Sequence, residues 1–242
     1  MMRSFLLSCL AVSCALAQPP NLIRVVRQGN IGAYIGGQAP VNVLGISAIA
    51  GPGESWLIEM HDSFASLEAV DRAVARFSPL QTKDAASFPD LLLQSQTLIA
   101  SYRPGLSYRA NEGMEMFPKI RYLDFAIIRI RLGTEADLAK LLKLRSVSLD
   151  GINMDRPEFV YEVISGAPEG TYFVLAPMTS LSALDNGRAD TPAYTEAAAE
   201  AAKKLAADTE LAREHVWFRI EPQMSRVSEG FAAQDPNFWR NQ

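Results

Sequence analysis

Residues 22–109 and 122–227 lay down the same order of strand, hairpin, helical segment and strand, so the chain is read as a duplicated unit. The repeat is clearest at two hairpins. Val43–Ile49 meets the turn Ala50-Gly-Pro-Gly-Glu54 and then Ser55–His61, and Phe159–Ile164 meets Gly166-Ala-Pro-Glu-Gly170 and then Thr171–Pro177. Glycine and proline set the turn angles while β-branched and aromatic residues fill both arms, the local signature of an antiparallel hairpin. Hydroxyl residues suited to capping a helix follow each hairpin, at Ser63 and at Thr179-Ser180. Trp56 then corresponds to Tyr172, Pro104 to Pro222 and Ser107 to Ser225 at nearly constant displacement. Upstream, Arg27-Gln-Gly29 corresponds to Arg131-Leu-Gly133 at a shorter displacement, so the second copy carries about a dozen more residues before its hairpin. They include the helical run Glu135–Leu144, where the first copy has the glycine-rich Asn30–Gln38.

Composition limits the function classes. The 242 residues are 48% hydrophobic and 21% charged, which is globular rather than disordered. A net charge of −4, with no basic stripe carrying interleaved aromatics, argues against a nucleic-acid partner. Residues 1–17 have Arg3, an apolar stretch and Ala15-Leu-Ala17, the layout of a cleaved secretory signal with the mature chain beginning at Gln18 and destined for the periplasm or the exterior. Lipid attachment at Cys14, after Ala11-Val-Ser13, is the minor alternative. Both cysteines, Cys9 and Cys14, fall inside this segment, so the mature chain would have no thiol chemistry, and no later run has the ~20 apolar residues of a membrane helix.

Each half reads β-α-β-β-α-β, the ferredoxin-like plan, giving modules at 22–112 and 119–229 and a C-terminal tail at 230–242. The second helical region of each is split, into Ser63–Phe77 and Pro89–Ser101 in the first and Ser180–Asn186 and Thr191–Glu214 in the second. The tail sequence Asp235-Pro-Asn-Phe-Trp239 reads as an aromatic anchor folding back on the body.

On the paired hairpins, the helix starts at Ser63 and Ser180 and the closing strands Tyr102–Ser107 and Ile220–Ser225, the chain resembles the dimeric α+β barrel superfamily. The resemblance implies an α+β fold of two tandem ferredoxin-like modules whose antiparallel sheets face each other as an intrachain barrel. Members of that group include cofactor-free monooxygenases, haem-binding enzymes and stress-responsive proteins, so the fold alone selects no activity.

Polar groups on apolar strands are the candidates for chemistry. Period-two alternation puts Glu59 and His61 on one face of their strand, either as a general base with its orienting carboxylate or as a solvated ion pair. His215 is expected at the end of the long helix, interacting with the helix dipole or, as the family resemblance allows, serving as an axial haem ligand. Arg129, Arg131 and Arg219 interrupt apolar strands and are read either as anion holders in a cavity or as surface residues. Trp56, Tyr172 and Trp217 are read either as walls of a ligand pocket or as core. With two histidines and no mature cysteine no metal site is supported, and neither a phosphate loop nor a serine elbow is present.

The leading expectation is an exported, cofactor-free protein binding a small organic molecule between its two modules, an oxygenase or isomerase-like enzyme using His61 and Glu59 with Trp56, Arg129, Tyr172 and Arg219 at the ligand. The competing expectation is a non-catalytic interaction or stress-response protein with a packed barrel interior. Haem binding is the third.

Overall fold

Turn chemistry and strand alternation set the local structure before any long-range contact is considered. In the computed structural model, which describes residues 18–27, 42–50, 53–77, 96–151, 156–185 and 196–240, the first hairpin is β2 (Val43–Ala48) and β3 (Ser55–His61), preceded by β1 (Leu22–Arg27). Helix α1 (Phe64–Phe77) follows, the Ser63 hydroxyl accepting the Ser66 N–H at 3.2 Å as its cap, and then β4 (Gln96–Tyr102). After α2 (Ala110–Met116) the second half supplies β5 (Tyr122–Ile130), α3 (Glu135–Gly151), β6 (Phe159–Ser165), β7 (Thr171–Met178), α4 (Glu196–Thr209) and β8 (Glu210–Arg226). Two short helices, α5 (Glu229–Ala232) and α6 (Pro236–Trp239), follow β8. The expected signal at 1–17, the loop Asn30–Gln38 and Cys14 lie outside the described residues.

The eight strands close into one antiparallel barrel in the order β1-β3-β2-β8-β5-β7-β6-β4. Within each half the order is the same: β4-β1-β3-β2 in the first and β8-β5-β7-β6 in the second. The halves join at two seams, β2 with β8 and β4 with β6, and the register shifts once at each, between Val43 and Gly45 and between Ile99 and Ala100. At the first seam Gly45 faces Met224 so closely that a Cβ there would sit 2.2 Å from the Met224 Cβ and 2.8 Å from its carbonyl carbon. Gly45→Ala is therefore expected to open the seam and cost about 1–3 kcal/mol, read as a fall of several degrees in the thermal melt; an unchanged melting point would show that the seam carries little of the stability.

Alternation sorts the side chains into an inside and an outside. Inward residues of all eight strands form one cluster, with Trp56, Phe125, Phe173 and Phe218 at its centre. Trp56 lies 4.5 Å from Phe218 and 5.2 Å from Phe125, which lies 5.1 Å from Phe173, ring centre to ring centre. Tilted and edge-to-face arrangements of this kind add to the area each ring buries. The centre of the barrel, between the two halves, where a ligand is expected from the sequence, is thus occupied by aromatic side chains. On the outside of the second half Ala126, Ile128, Ile130, Val160 and Val174 pack under Leu138 and Leu142 of α3.

The tail closes one end of the barrel. Trp239 donates its indole N–H to the Pro118 carbonyl at 2.7 Å and packs edge-on to Phe231 and Phe238, while Arg121 pairs with Asp235 and lies over the Phe238 ring at 3.8 Å.

Two stretches expected to be helical are strand instead, because strand pairing overrides local propensity. The Ala-rich helix expected over Thr191–Glu214 stops at Thr209; from Glu210 the chain pairs with β5, Glu214 opposite Ile127 and His215 opposite Ala126. His215 is accordingly a strand residue and not a helix-end one. The helix expected over Pro89–Ser101 is strand from Gln96, held by β1 on one side and β6 on the other. The helix expected over Ser180–Asn186 is a single tight turn at Leu181–Leu184, capped by Ser180.

Candidate functional site

The outer face of β5 carries one acidic residue in an apolar run, Asp124. Strand pairing sets Trp217 of β8 opposite it and His215 one step along the same face. Arg156, just before β6, reaches down onto the same carboxylate. Asp124, itself 3% exposed, accepts from Arg156 Nη2 at one oxygen and is hydrogen-bonded to His215 Nε2 at the other. Glu158 extends the cluster, accepting from Arg145 of α3 at 2.7 Å with Arg156 Nε 3.8 Å away.

These groups border a cavity of about 300 Å³ between α3 and the sheet, with Ala126, Ile128, Leu142, Val174 and Ala176 as its apolar lining. Two N–H donors at the cavity, Trp217 Nε1 and Arg156 Nε, are buried without an acceptor among the described residues. A buried donor left unpaired costs about 1–3 kcal/mol, so both favour any molecule that brings an oxygen to them. Burial pushes the His215 pKa below its usual 6.5, and the charges of Arg156, Arg145 and Arg213 push the same way. Asp124 is already engaged by Arg156, which limits its pull on a proton at His215. The shift favours the neutral imidazole, which borders the cavity, is partly open to solvent and in that form can accept a proton. Burial also lowers the Arg156 pKa, with Glu158 acting against that shift.

The first half carries a parallel arrangement. Glu59 accepts from Arg24 Nε at 2.8 Å and lies 3.2 Å from His61 Nε2, the three being 2%, 6% and 5% exposed. The pair is buried rather than solvated. The chain's two histidines thus each sit in an arginine–carboxylate–histidine chain on the outer face of a different half.

The other expected site residues do not gather around His61. Trp56 is inside the barrel, Tyr172 lies under α3, Arg129 is exposed, and exposed Arg219 is tied to Glu221 at 2.7 Å. Trp217, considered with Trp56 and Tyr172, borders the cavity under α3 instead. Asp124, Arg145, Arg156 and Glu158 were missed; Asp124 between Leu123 and Phe125 carried the same signal as the arginines that were noticed, a charge in an apolar strand.

Neither histidine suits axial ligation of haem, since Nε2, the nitrogen a ligand would use, is turned to a carboxylate in both. Among the described residues no group of three or more His, Cys, Asp or Glu is placed to hold a metal ion, and no helix is long and apolar enough to cross a membrane.

No protein-family model and no curated protein sequence matches the chain. Solved structures do. An anthrone oxidase-like protein superposes with a TM-score of 0.53 at 10% identity, covering 83% of this chain and 92% of its own. A candidate monooxygenase from Fusobacterium nucleatum superposes with a TM-score of 0.52 at 8% identity, covering 84% and 94%. The fold is that of the dimeric α+β barrel group, here closed within a single chain.

Proposed function

We propose that this protein binds a small organic acid in the 300 Å³ cavity under α3 and takes a proton from it at His215, as a cofactor-free oxygenase or an isomerase-like enzyme. The observation that carries the reading is the convergence, on one apolar-lined cavity, of a neutral histidine held by Asp124 and two buried donors lacking acceptors. The solved neighbours described as anthrone oxidase-like and as a monooxygenase support the same class. The common strand order of the halves supports reading each as a ferredoxin-like module, at 22–112 and 119–229 with a tail at 230–242. Export through residues 1–17 is part of the proposal, and secreted protein beginning at Gln18 is the supporting result.

The chemistry follows from the donors. His215 accepts the proton of an activated C–H or O–H, and Asp124 fixes the ring. The anion so formed places its oxygen at Arg156 Nε and Trp217 Nε1, which stabilise the charge most as it develops. For an anthrone-type CH₂ group the carbanion is oxidised by dioxygen. A C–O bond forms, giving a hydroperoxide, and loss of one water leaves the ketone, so one O₂ is consumed per substrate. Returned to a different carbon, the same proton completes an isomerisation.

Oxygen uptake with an anthrone is the test. Uptake is expected to fall about 10²–10⁴-fold in His215→Gln. In the parent protein kcat/KM is expected to rise with pH and level off, its inflection below the usual histidine value of about 6.5, because the basic form exists only above the depressed pKa. Uptake and pH profile unaltered by His215→Gln would refute the assignment. The filled barrel interior favours a second reading, a non-catalytic interaction protein, in which neither turnover nor ligand retention would be found.

A further inference from the structure

We infer that the first half holds a second small-molecule site, separate from the Asp124–His215 cavity and selective for an uncharged molecule with an apolar body and one hydrogen-bonding group. The site is a cavity of about 560 Å³ at the end of the barrel closed by the tail. Its wall is drawn from α1, α2, β3 and α5, with Met60, Val70, Met114, Phe117 and Phe231 giving it an apolar surface. The cavity opens to solvent past Ala69, and its volume lies within the range of ligand pockets, roughly 300–1,000 Å³.

His61 supplies the polar point. It is 5% exposed yet borders the cavity, and its Nε2 is turned to Glu59, which leaves Nδ1 as the ring nitrogen available to a ligand. Arg24 fixes Glu59 in turn, at 2.8 Å. Glu59 does not itself border the cavity and acts there through the His61 ring it holds.

Charge separates this cavity from the other. Asp62 borders it and no arginine or lysine among the described residues does, whereas Arg145, Arg156 and Arg213 surround the smaller one. An anion is disfavoured here and favoured there. The two halves thus share an architecture and differ in ligand class.

The test uses two dyes of similar shape, neutral N-phenyl-1-naphthylamine and anionic 1-anilinonaphthalene-8-sulfonate, whose fluorescence rises on entering an apolar site. The neutral dye is expected to bind saturably and more tightly than the anionic one. Ala69, exposed on α1 at the mouth of the cavity, can take a larger side chain without entering the core. Ala69→Trp should weaken the neutral dye at least about tenfold with the thermal melt unchanged, and Ser66→Trp should weaken it likewise while lowering the melt slightly, because the Ser66 hydroxyl bonds the Ser63 N–H and carbonyl at the start of α1. His215→Gln should leave its affinity unaltered, which separates this site from the proposed catalytic one. Binding of the neutral dye that survives both tryptophan substitutions, preference for the anionic dye, or no saturable binding would each overturn the inference.

Discussion

Phe125→Ala is expected to destabilise the protein by about 3–5 kcal/mol and to leave unfolding a single transition. Phe125 is 1% exposed and lies among three other rings, within 5.2 Å of Trp56, 5.1 Å of Phe173 and 6.2 Å of Phe218. Two of those partners, Phe173 and Phe218, come from its own half, and Trp56 comes from the other. Truncation to a methyl group forfeits the transfer energy of the ring and leaves a hole that the barrel wall, hydrogen-bonded all round, cannot close. Because the core is shared, both halves should lose stability together. Urea denaturation followed by tryptophan fluorescence and by far-ultraviolet circular dichroism is the check. Coincident curves shifted to lower denaturant agree with a common core; two separate transitions would mean that each half has a core of its own.

Asp124→Ala should have the second large effect, on stability and chemistry together. Its carboxylate receives both Arg156 and His215, so its loss leaves a buried guanidinium with only Glu158, 3.8 Å from its Nε, as counter-charge and an imidazole without its support. Breaking one side of a buried pair costs about 3–5 kcal/mol. The double substitution Asp124→Leu with Arg156→Met removes both charges and should regain most of that stability. It should not regain turnover, because His215 still lacks its orienting partner and the anion has lost a donor. Stability and activity recovering together would show that the cluster acts through folding alone.

The fold was far more legible than the site, for physical reasons visible in particular residues. At Gly166 and Gly170 the backbone has φ of +92° and +77°, and glycine in those places announced the second hairpin. Alternation along Ser55–His61 placed Glu59 and His61 together because neighbours two apart on a strand must share a face. Alternation says nothing of what covers that face, so burial of the pair was invisible. His215 was misplaced because Ala-rich sequence before it favours helix, while the β5 edge that converts it to strand is contributed by residues 122–130. Asp124, Arg156 and His215 are far apart in the chain, and the β8-β5-β7-β6 pairing of the second half brings them together. Aromatic residues such as Trp56 and Tyr172 could not be sorted into lining and core without knowing which face of the sheet looks inward.

The most direct measurement follows from the chain having two histidines. With selective ¹⁵N-histidine labelling, the protein offers two imidazoles to nuclear magnetic resonance, assigned by His61→Gln and His215→Gln. Titration with 4-nitrophenol, whose absorption differs between phenol and phenolate, then reads proton transfer and location together. The account predicts that the His215 signals shift with saturation while the dye converts to phenolate, and that Asp124→Asn abolishes both changes. A response confined to His61, or none at either ring, would contradict the placement of an acid-binding, proton-accepting site on the second half.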